Sequence, residues 1–192
     1  MRMVMRVSAV TAALVVLTAG AASAQRPQTR QGFWIAFGLG YGSAKLSCGG
    51  CDAGSDGGAT GHIRLGGTLN QRLLLGGDVT GWAKEESGVT ATVGAVSFVA
   101  QYYPMPASGL FVKGGVGYSG IVFVATGQEV TGTGFGLSAG AGYDVRVGRN
   151  ISITPLVDFL YGGSRGLQLN GTTVLDGVSS TLISFGLGVT FH

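Results

Sequence analysis

The feature that most constrains this chain is an alternation of apolar with small or polar residues, which recurs in segments of about ten residues. The clearest segment runs from Phe135 to Val145, with apolar residues at odd positions and Gly, Ser or Asp at even positions. Such alternation places the two sets of side chains on opposite faces of a β-strand. After the first two dozen residues, no apolar run approaches the roughly 20 residues of a membrane-spanning helix. The chain is therefore expected to be all-β.

Eight segments share this alternation, and they begin near Phe33, His62, Leu73, Val96, Val112, Phe135, Ile151 and Ile183. One face is apolar and the other is mostly Gly, Ser and Thr. Charged residues make up only 11% of the chain, so neither face suits water as the exposed face of a soluble β-sandwich would. The pattern predicts an eight-stranded antiparallel up-and-down barrel that spans a membrane, with its apolar face towards lipid. In the fifth segment the alternation shifts beyond Gly120 towards Ile121 and Phe123, which predicts a β-bulge.

The N-terminus has the three parts of a cleaved signal peptide. Arg2 and Arg6 precede an apolar stretch, and Ala22–Ala24 forms a small-residue cleavage site. The predicted divisions are a signal peptide over 1–24, a short N-terminal segment over 25–31 and a barrel over 32–192. Without the two leader arginines, the chain has 10 basic and 9 acidic residues. This balance leaves no basic patch of the kind that binds nucleic acid.

The lengths of the connections predict how the barrel is oriented. Three connections are short and are expected to face the periplasm: Asn70–Arg72, Pro104–Ser108 and Arg146–Asn150. The two longest, Ser43–Ala59 and Ser164–Ser179, are expected on the outer side, as is typical of such barrels. Aromatic residues fall near the two expected membrane boundaries, where amphipathic rings are favoured. The predicted periplasmic girdle is Phe33, Tyr102, Tyr143 and Phe191, and the predicted outer girdle is Tyr41, Phe135 and Tyr161.

From Gly32 to His192 the chain resembles the eight-stranded bacterial outer-membrane β-barrel proteins, which include small porin-like and adhesin-like barrels. Such proteins end in an alternating strand with a terminal aromatic residue, and the pattern is present here in Phe185, Leu187, Val189 and Phe191. This chain differs in that His192 follows the aromatic residue. The resemblance implies a location in the outer membrane, contact with its lipids and recognition by the outer-membrane assembly machinery.

Charged residues on the inward face are the first candidates for a functional site; they are Arg64, Asp78, Lys113, Asp144 and Asp158. If Asn70–Arg72 is a three-residue turn, Leu69 faces Leu73, and Arg64 then lies directly opposite Asp78. Buried charges need partners, and the interior of eight strands is just wide enough for its own side chains. The sequence therefore favours a lumen plugged by paired polar side chains, and a charged permeation path is the alternative.

Few other residues indicate chemistry. Cys48 and Cys51 predict a short disulfide in an oxidising outer loop, and no second pair of ligands accompanies them to form a metal site. A lipid-modifying enzyme would need His62 or His192 as its base. The expected function is non-enzymatic and structural or interactive, without a cofactor, with an extracellular partner able to bind through the outer loops. The alternatives are a narrow channel for ions or small solutes and, less favoured, a lipid-modifying enzyme.

Overall fold

The computed structural model describes residues 29–48, 54–125, 128–163, 166–169 and 172–192, with the backbone alone for 174–176. The described residues form eleven β-strands. These are β1 (Phe33–Ser47), β2 (Ser55–Asn70), β3 (Leu73–Glu86), β4 (Val89–Tyr102), β5 (Leu110–Ala125), β6 (Gln128–Tyr143), β7 (Val145–Arg146), β8 (Ile151–Gly163), β9 (Gly166–Leu169), β10 (Thr172–Asp176) and β11 (Ser179–Phe191). None of the described residues belongs to a helix that could cross a membrane.

Eight long strands close into one antiparallel barrel, as the alternation predicts. Strands β1 to β6 pair in chain order, β6 pairs with β8, β8 with β11, and β11 with β1. Two short strands, β9 and β10, form a hairpin that joins the outer end of β6. Among the described residues, closure pairs both edges of every one of these eight strands, which matters because lipid offers no hydrogen bonds to an open sheet edge.

The strands are staggered by ten residues around the ring. A path from Phe33 through successive partner residues returns to β1 at Ser43, by way of Gly67, Leu75, Ala100, Gly114, Ala139, Phe159 and Ile183. With standard strand spacings this stagger corresponds to a tilt of about 40°. The stagger decides which inward side chains meet across the lumen.

The two faces of the wall have the predicted polarity. Leu39 on the outward face is 77% exposed, whereas Trp34 on the inward face is 1% exposed. Alternation is strictest in β8, where every second residue from Ser152 to Gly162 is buried. Outside the lumen the wall presents large apolar side chains suited to lipid.

The predicted β-bulge beyond Gly120 is wrong. Pairing with β4 and β6 continues without a shift along the described length of β5. Ile121 keeps the inward parity and is 3% exposed. It belongs to a cluster of buried apolar side chains inside the barrel, and Phe123 packs against this cluster. The change from small to apolar residues therefore marks a change in the filling of the lumen and not an irregularity of the strand.

The connections differ in detail from those predicted. A register shift lies between Thr68 and Asn70, so the first periplasmic turn is Gln71–Arg72. On the outer side, β1 and β2 are already paired at Lys45 and Ser55. Much of the connection predicted over Ser43–Ala59 is therefore strand, and the one over Ser164–Ser179 contains the β9–β10 hairpin. The two outer connections differ from the prediction because the strands continue past the length that the membrane requires.

Candidate functional site

Side chains fill the described lumen in three layers. The outer apolar layer consists of Ala44, Trp82, Val93, Ala95, Ile121, Leu160, Val178 and Leu182. The central polar layer consists of His62, Arg64, Asp78, Gln101, Lys113 and Asp158, all buried. The periplasmic layer consists of Trp34, Ala36, Leu74, Tyr103 and Phe111, together with the buried polar residues Arg30, Asp144 and His192.

Lys113 is the centre of the polar layer. Its ammonium nitrogen lies 2.6 Å from Oδ2 of Asp78 and 3.1 Å from Oδ1 of Asp158. Arg64 and Asp78 are partners in the β2–β3 register, as predicted. The predicted ion pair between them is replaced, among the described residues, by the salt bridge from Asp78 to Lys113. Lys113 approaches from β5, two strands away from β3, so the curvature of the barrel brings the partners together.

Arg64 instead connects the central layer to the periplasmic layer. Its guanidinium donates to Oε1 of Gln101 at 3.2 Å and lies 3.2 Å from Nε2 of His62. The amide of Gln101 donates to the hydroxyl of Tyr103, which donates to Oδ2 of Asp144 at 2.7 Å. A continuous hydrogen-bonded chain therefore runs from Arg64 to Asp144.

Asp144 lies beyond the end of β6, outside the membrane-spanning strands, and is completely buried in the periplasmic mouth. It accepts hydrogen bonds from Tyr103, from Thr154 at 2.7 Å and from Nε2 of His192 at 3.2 Å. Burial acts to raise the pKa of Asp144, but the hydrogen bonds from His192, Tyr103 and Thr154 outweigh it and lower that pKa below its usual value. The predicted lumen charges thus divide into a central group of four and Asp144.

Sequence reasoning missed the apolar filling of the outer half, because it expected polar side chains to plug the lumen. Trp82 packs there with Ile121 and Leu182, and its indole N–H donates to the carbonyl of Gly42 at 3.1 Å. The available signal was the set of apolar residues at inward parity near the strand ends. Arg30 was also missed, and nothing in its local sequence indicates that its side chain enters the barrel.

The predicted girdle residues lie on the outward face, and the four periplasmic ones stand at strand ends, whereas Tyr41 and Phe135 lie in the middle of β1 and β6 because these strands extend further outwards than predicted. Phe33, Tyr41, Tyr102, Phe135 and Tyr161 are exposed, whereas Tyr143 and Phe191 are half-buried. In β11, Phe185 and Leu187 are exposed, and Val189 and Phe191 are half-buried. Recognition of this strand by the assembly machinery stays a prediction.

The predicted disulfide falls at the edge of the described chain. Cys48 is half-buried and packs against the outer apolar layer, and Cys51 lies outside the described residues. The Cys48–Cys51 bond therefore stays a prediction. At the same end of the barrel, Lys84 forms salt bridges with Asp56, at 2.6 Å, and with Glu86.

A closed ring of eight tilted strands, apolar outside and filled with side chains inside, defines a small membrane-spanning barrel protein. The family model for the outer membrane protein beta-barrel domain matches residues 12–191. The chain belongs to this family and is a bacterial outer-membrane protein. Comparison with curated proteins found no match.

Solved structures show the same fold at low sequence identity. Neisserial surface protein A superimposes with a TM-score of 0.60 at 20% identity, over 85% of this chain and 98% of that one. The attachment invasion locus protein Ail of Yersinia pestis gives a TM-score of 0.51 at 17% identity, over 84% of this chain and 99% of that one. At these identities the likeness concerns the fold alone.

Proposed function

We propose that this protein is a closed, non-catalytic outer-membrane barrel whose role is carried by the hairpins on its outer surface. The observation that carries the proposal is the filling of the lumen. Buried apolar side chains around Trp82 and Leu182 lie above a charge-paired layer around Lys113. A hydrated ion crossing this path would have to displace both layers, and in the described part of the outer one it would exchange its water mainly for apolar side chains, with only a few hydroxyls such as those of Ser119 and Ser180 beside them.

The positions of the two histidines weigh against lipid modification. His62 points into the lumen and contacts the guanidinium of Arg64. His192 is buried at the periplasmic mouth against Asp144. A base that removes a proton from a lipid or from a nucleophile must come within hydrogen-bond reach of it. Neither imidazole lies on the lipid-facing wall, so neither is placed for this work.

The outer ends of the strands are suited to present a surface. A membrane-spanning β-strand needs about 9–11 residues, whereas β2, β5 and β6 each have 16. The β3–β4 hairpin turns through Ser87 and Gly88, whose positive φ angles of 53° and 78° are typical of a tight two-residue turn. The salt bridge from Lys84 to Asp56 ties this hairpin to β2. These features support ordered hairpins that stand above the membrane.

Conductance tests the closed lumen directly. The refolded mature protein is added to a planar bilayer after a heat-modifiable band shift shows that the barrel has folded. We expect no current steps, while a known porin in the same bilayer gives them. Steps whose size or ion selectivity changes in Arg64→Ala or Lys113→Ala would overturn the closed barrel in favour of the narrow channel.

A shortened hairpin tests the outer surface. Lys84 and Ala91 are partners in the β3–β4 ladder, so an Asn-Gly turn can join them after residues 85–90 are removed. Because Ail is named as an attachment protein, we infer that the outer hairpins bind a host-cell surface. We expect the variant to fold and stay silent in the bilayer, but to lose the adhesion of expressing bacteria to an epithelial cell monolayer. Equal adhesion by the wild type and the variant, at equal surface amounts, would remove this hairpin from the proposal.

A further inference from the structure

The residues just before β1 enter the periplasmic mouth of the barrel. Residues 29–32, named here the strap, precede the first strand, and the side chain of Arg30 is completely buried. Gly32 adopts a φ of +72°, a left-handed conformation that favours glycine. Its carbonyl accepts a hydrogen bond from the backbone N–H of Thr68 at 2.9 Å. This turn directs the chain from the wall across the opening.

The guanidinium of Arg30 is held between an aromatic ring and three backbone carbonyl groups. Its central carbon lies 3.5 Å from the centre of the Tyr103 ring, within the range of a cation–π interaction. Its terminal nitrogens donate to three backbone carbonyls, those of Ser108 at 2.8 Å, Pro106 at 3.1 Å and Gln71 at 3.4 Å. Gln71, Tyr103, Pro106 and Ser108 form the guanidinium socket.

The strap is also held through its backbone. The N–H of Arg30 donates to Oε1 of Gln71 at 3.1 Å, and Nε2 of Gln71 donates back to the carbonyl of Arg30 at 2.9 Å. Arg146 donates to the carbonyl of Thr29 at 3.4 Å. All these contacts lie outside the strand ladders, so the strap can leave without breaking a β-pairing of the barrel.

We propose that the periplasmic mouth is a guanidinium-binding site and that the strap is its resident ligand, which forms a detachable seal beneath the central polar layer. The planar fork of a guanidinium matches the ring face and the converging carbonyls, whereas a compact ammonium cannot engage both in the same way. Removing the arginine side chain opens the mouth to water and leaves a socket that a free guanidinium can refill.

Thiol labelling tests the seal. Ala36 lies on the inner face of β1 in the periplasmic layer and is buried, so Ala36→Cys reports access from below. The reporter is placed in a Cys48→Ser/Cys51→Ser background and labelled with a neutral, water-soluble maleimide. We expect Arg30→Ala to raise the labelling rate at least tenfold. Arg72→Ala, which removes an exposed arginine from the adjacent turn, should leave the rate unchanged.

Chemical rescue tests the class of ligand. Methylguanidinium at millimolar concentration should return the labelling rate of Arg30→Ala towards that of the wild type, while methylammonium at the same concentration should not. Equal rates in the wild type and Arg30→Ala would overturn the seal. If both cations slow the labelling of Arg30→Ala, or if neither cation does, the proposed guanidinium site is wrong. If Arg30→Ala shows no heat-modifiable band shift, Gln71→Ala decides, since faster labelling in it supports the seal and a wild-type rate overturns it. The measured quantity is access of the maleimide to Ala36→Cys from the periplasmic side, so it does not depend on conductance through the outer apolar layer.

Discussion

Replacing Lys113 should destabilise the barrel more than replacing either carboxylate that it neutralises. With an effective dielectric constant of about 20, contacts of 2.6 and 3.1 Å each correspond to an attraction of about 5–6 kcal/mol before desolvation. Lys113→Met keeps the volume of the side chain but leaves two buried carboxylates without this cation. Removal of one partner of a buried pair costs about 3–5 kcal/mol. Because two carboxylates lose their shared cation, we expect a loss at the upper end of this range, about 5 kcal/mol, in the free energy of unfolding.

Asp78→Asn should cost less, because the ammonium keeps Asp158 and the new amide oxygen can still accept its hydrogen bond. A hydrogen bond that involves a charged group contributes about 1.5–3 kcal/mol, so a loss of about 2 kcal/mol is expected. Urea unfolding in detergent micelles, followed by tryptophan fluorescence, gives both values, since Trp34 and Trp82 are both buried inside the barrel. The two losses should differ by about 3 kcal/mol.

A charge-matched double replacement provides the control. Lys113→Met combined with Asp158→Asn removes one cation and one anion and leaves Arg64 and Asp78 as the charges of the buried central group, so it should recover much of the loss seen in the single lysine variant. A lysine variant that unfolds at the same urea concentration as Asp78→Asn would refute the reasoning, because the ammonium would then not be shared between two carboxylates.

Two further perturbations compare matched sites. A Cβ on Gly117 would overlap the neighbouring strand, whereas one on Gly81 meets open space. In urea unfolding, Gly117→Ala should therefore lower the free energy of unfolding by about 1–3 kcal/mol, and Gly81→Ala should hardly change it. Equal losses in the two variants would contradict this expectation. His192→Ala removes a hydrogen bond to the buried Asp144 carboxylate and should cost about 1.5–3 kcal/mol at pH 7, whereas the exposed Arg149→Ala should change little. Because the pKa of Asp144 is lowered in the folded state, its contribution is complete above about pH 4 and is lost as the pH falls below that value. The difference between wild type and His192→Ala should shrink at pH 3, and a constant difference would contradict the assignment.

The sequence predicted the wall of the barrel well, because lipid imposes one demand on every strand. An outward side chain such as Leu39 or Phe185 must be apolar, so parity alone assigns its face. Hairpin register was also accessible, since a short turn determines which residues face each other. Arg64 pairs with Asp78 as predicted, although the turn is one residue shorter and Asn70, not Leu69, faces Leu73, because the register shift between Thr68 and Asn70 compensates for the shorter turn.

The contents of the lumen were less accessible, because they depend on how far the strands are staggered around the ring. Lys113 meets Asp78 and Asp158 from strands that are not its neighbours, and no local pattern encodes that meeting. An apolar residue at inward parity also has two interpretations from sequence. The sequence around Ile121 predicts a change of parity, but Ile121 belongs to a hydrophobic filling that only the closed ring requires.

The pairing of β1 with β11 has a consequence for how this protein folds. Phe37 and Val189 face each other in that ladder although they are separated by about 150 residues, so the contact is strongly non-local and slow to form. Closing this long loop costs conformational entropy, and this cost comes before the hydrogen bonds of the β1–β11 ladder can stabilise the barrel. Until the last strand arrives, the sheet has two open edges that invite pairing with other chains. A chain truncated before Ser179 should therefore aggregate and not form a smaller barrel.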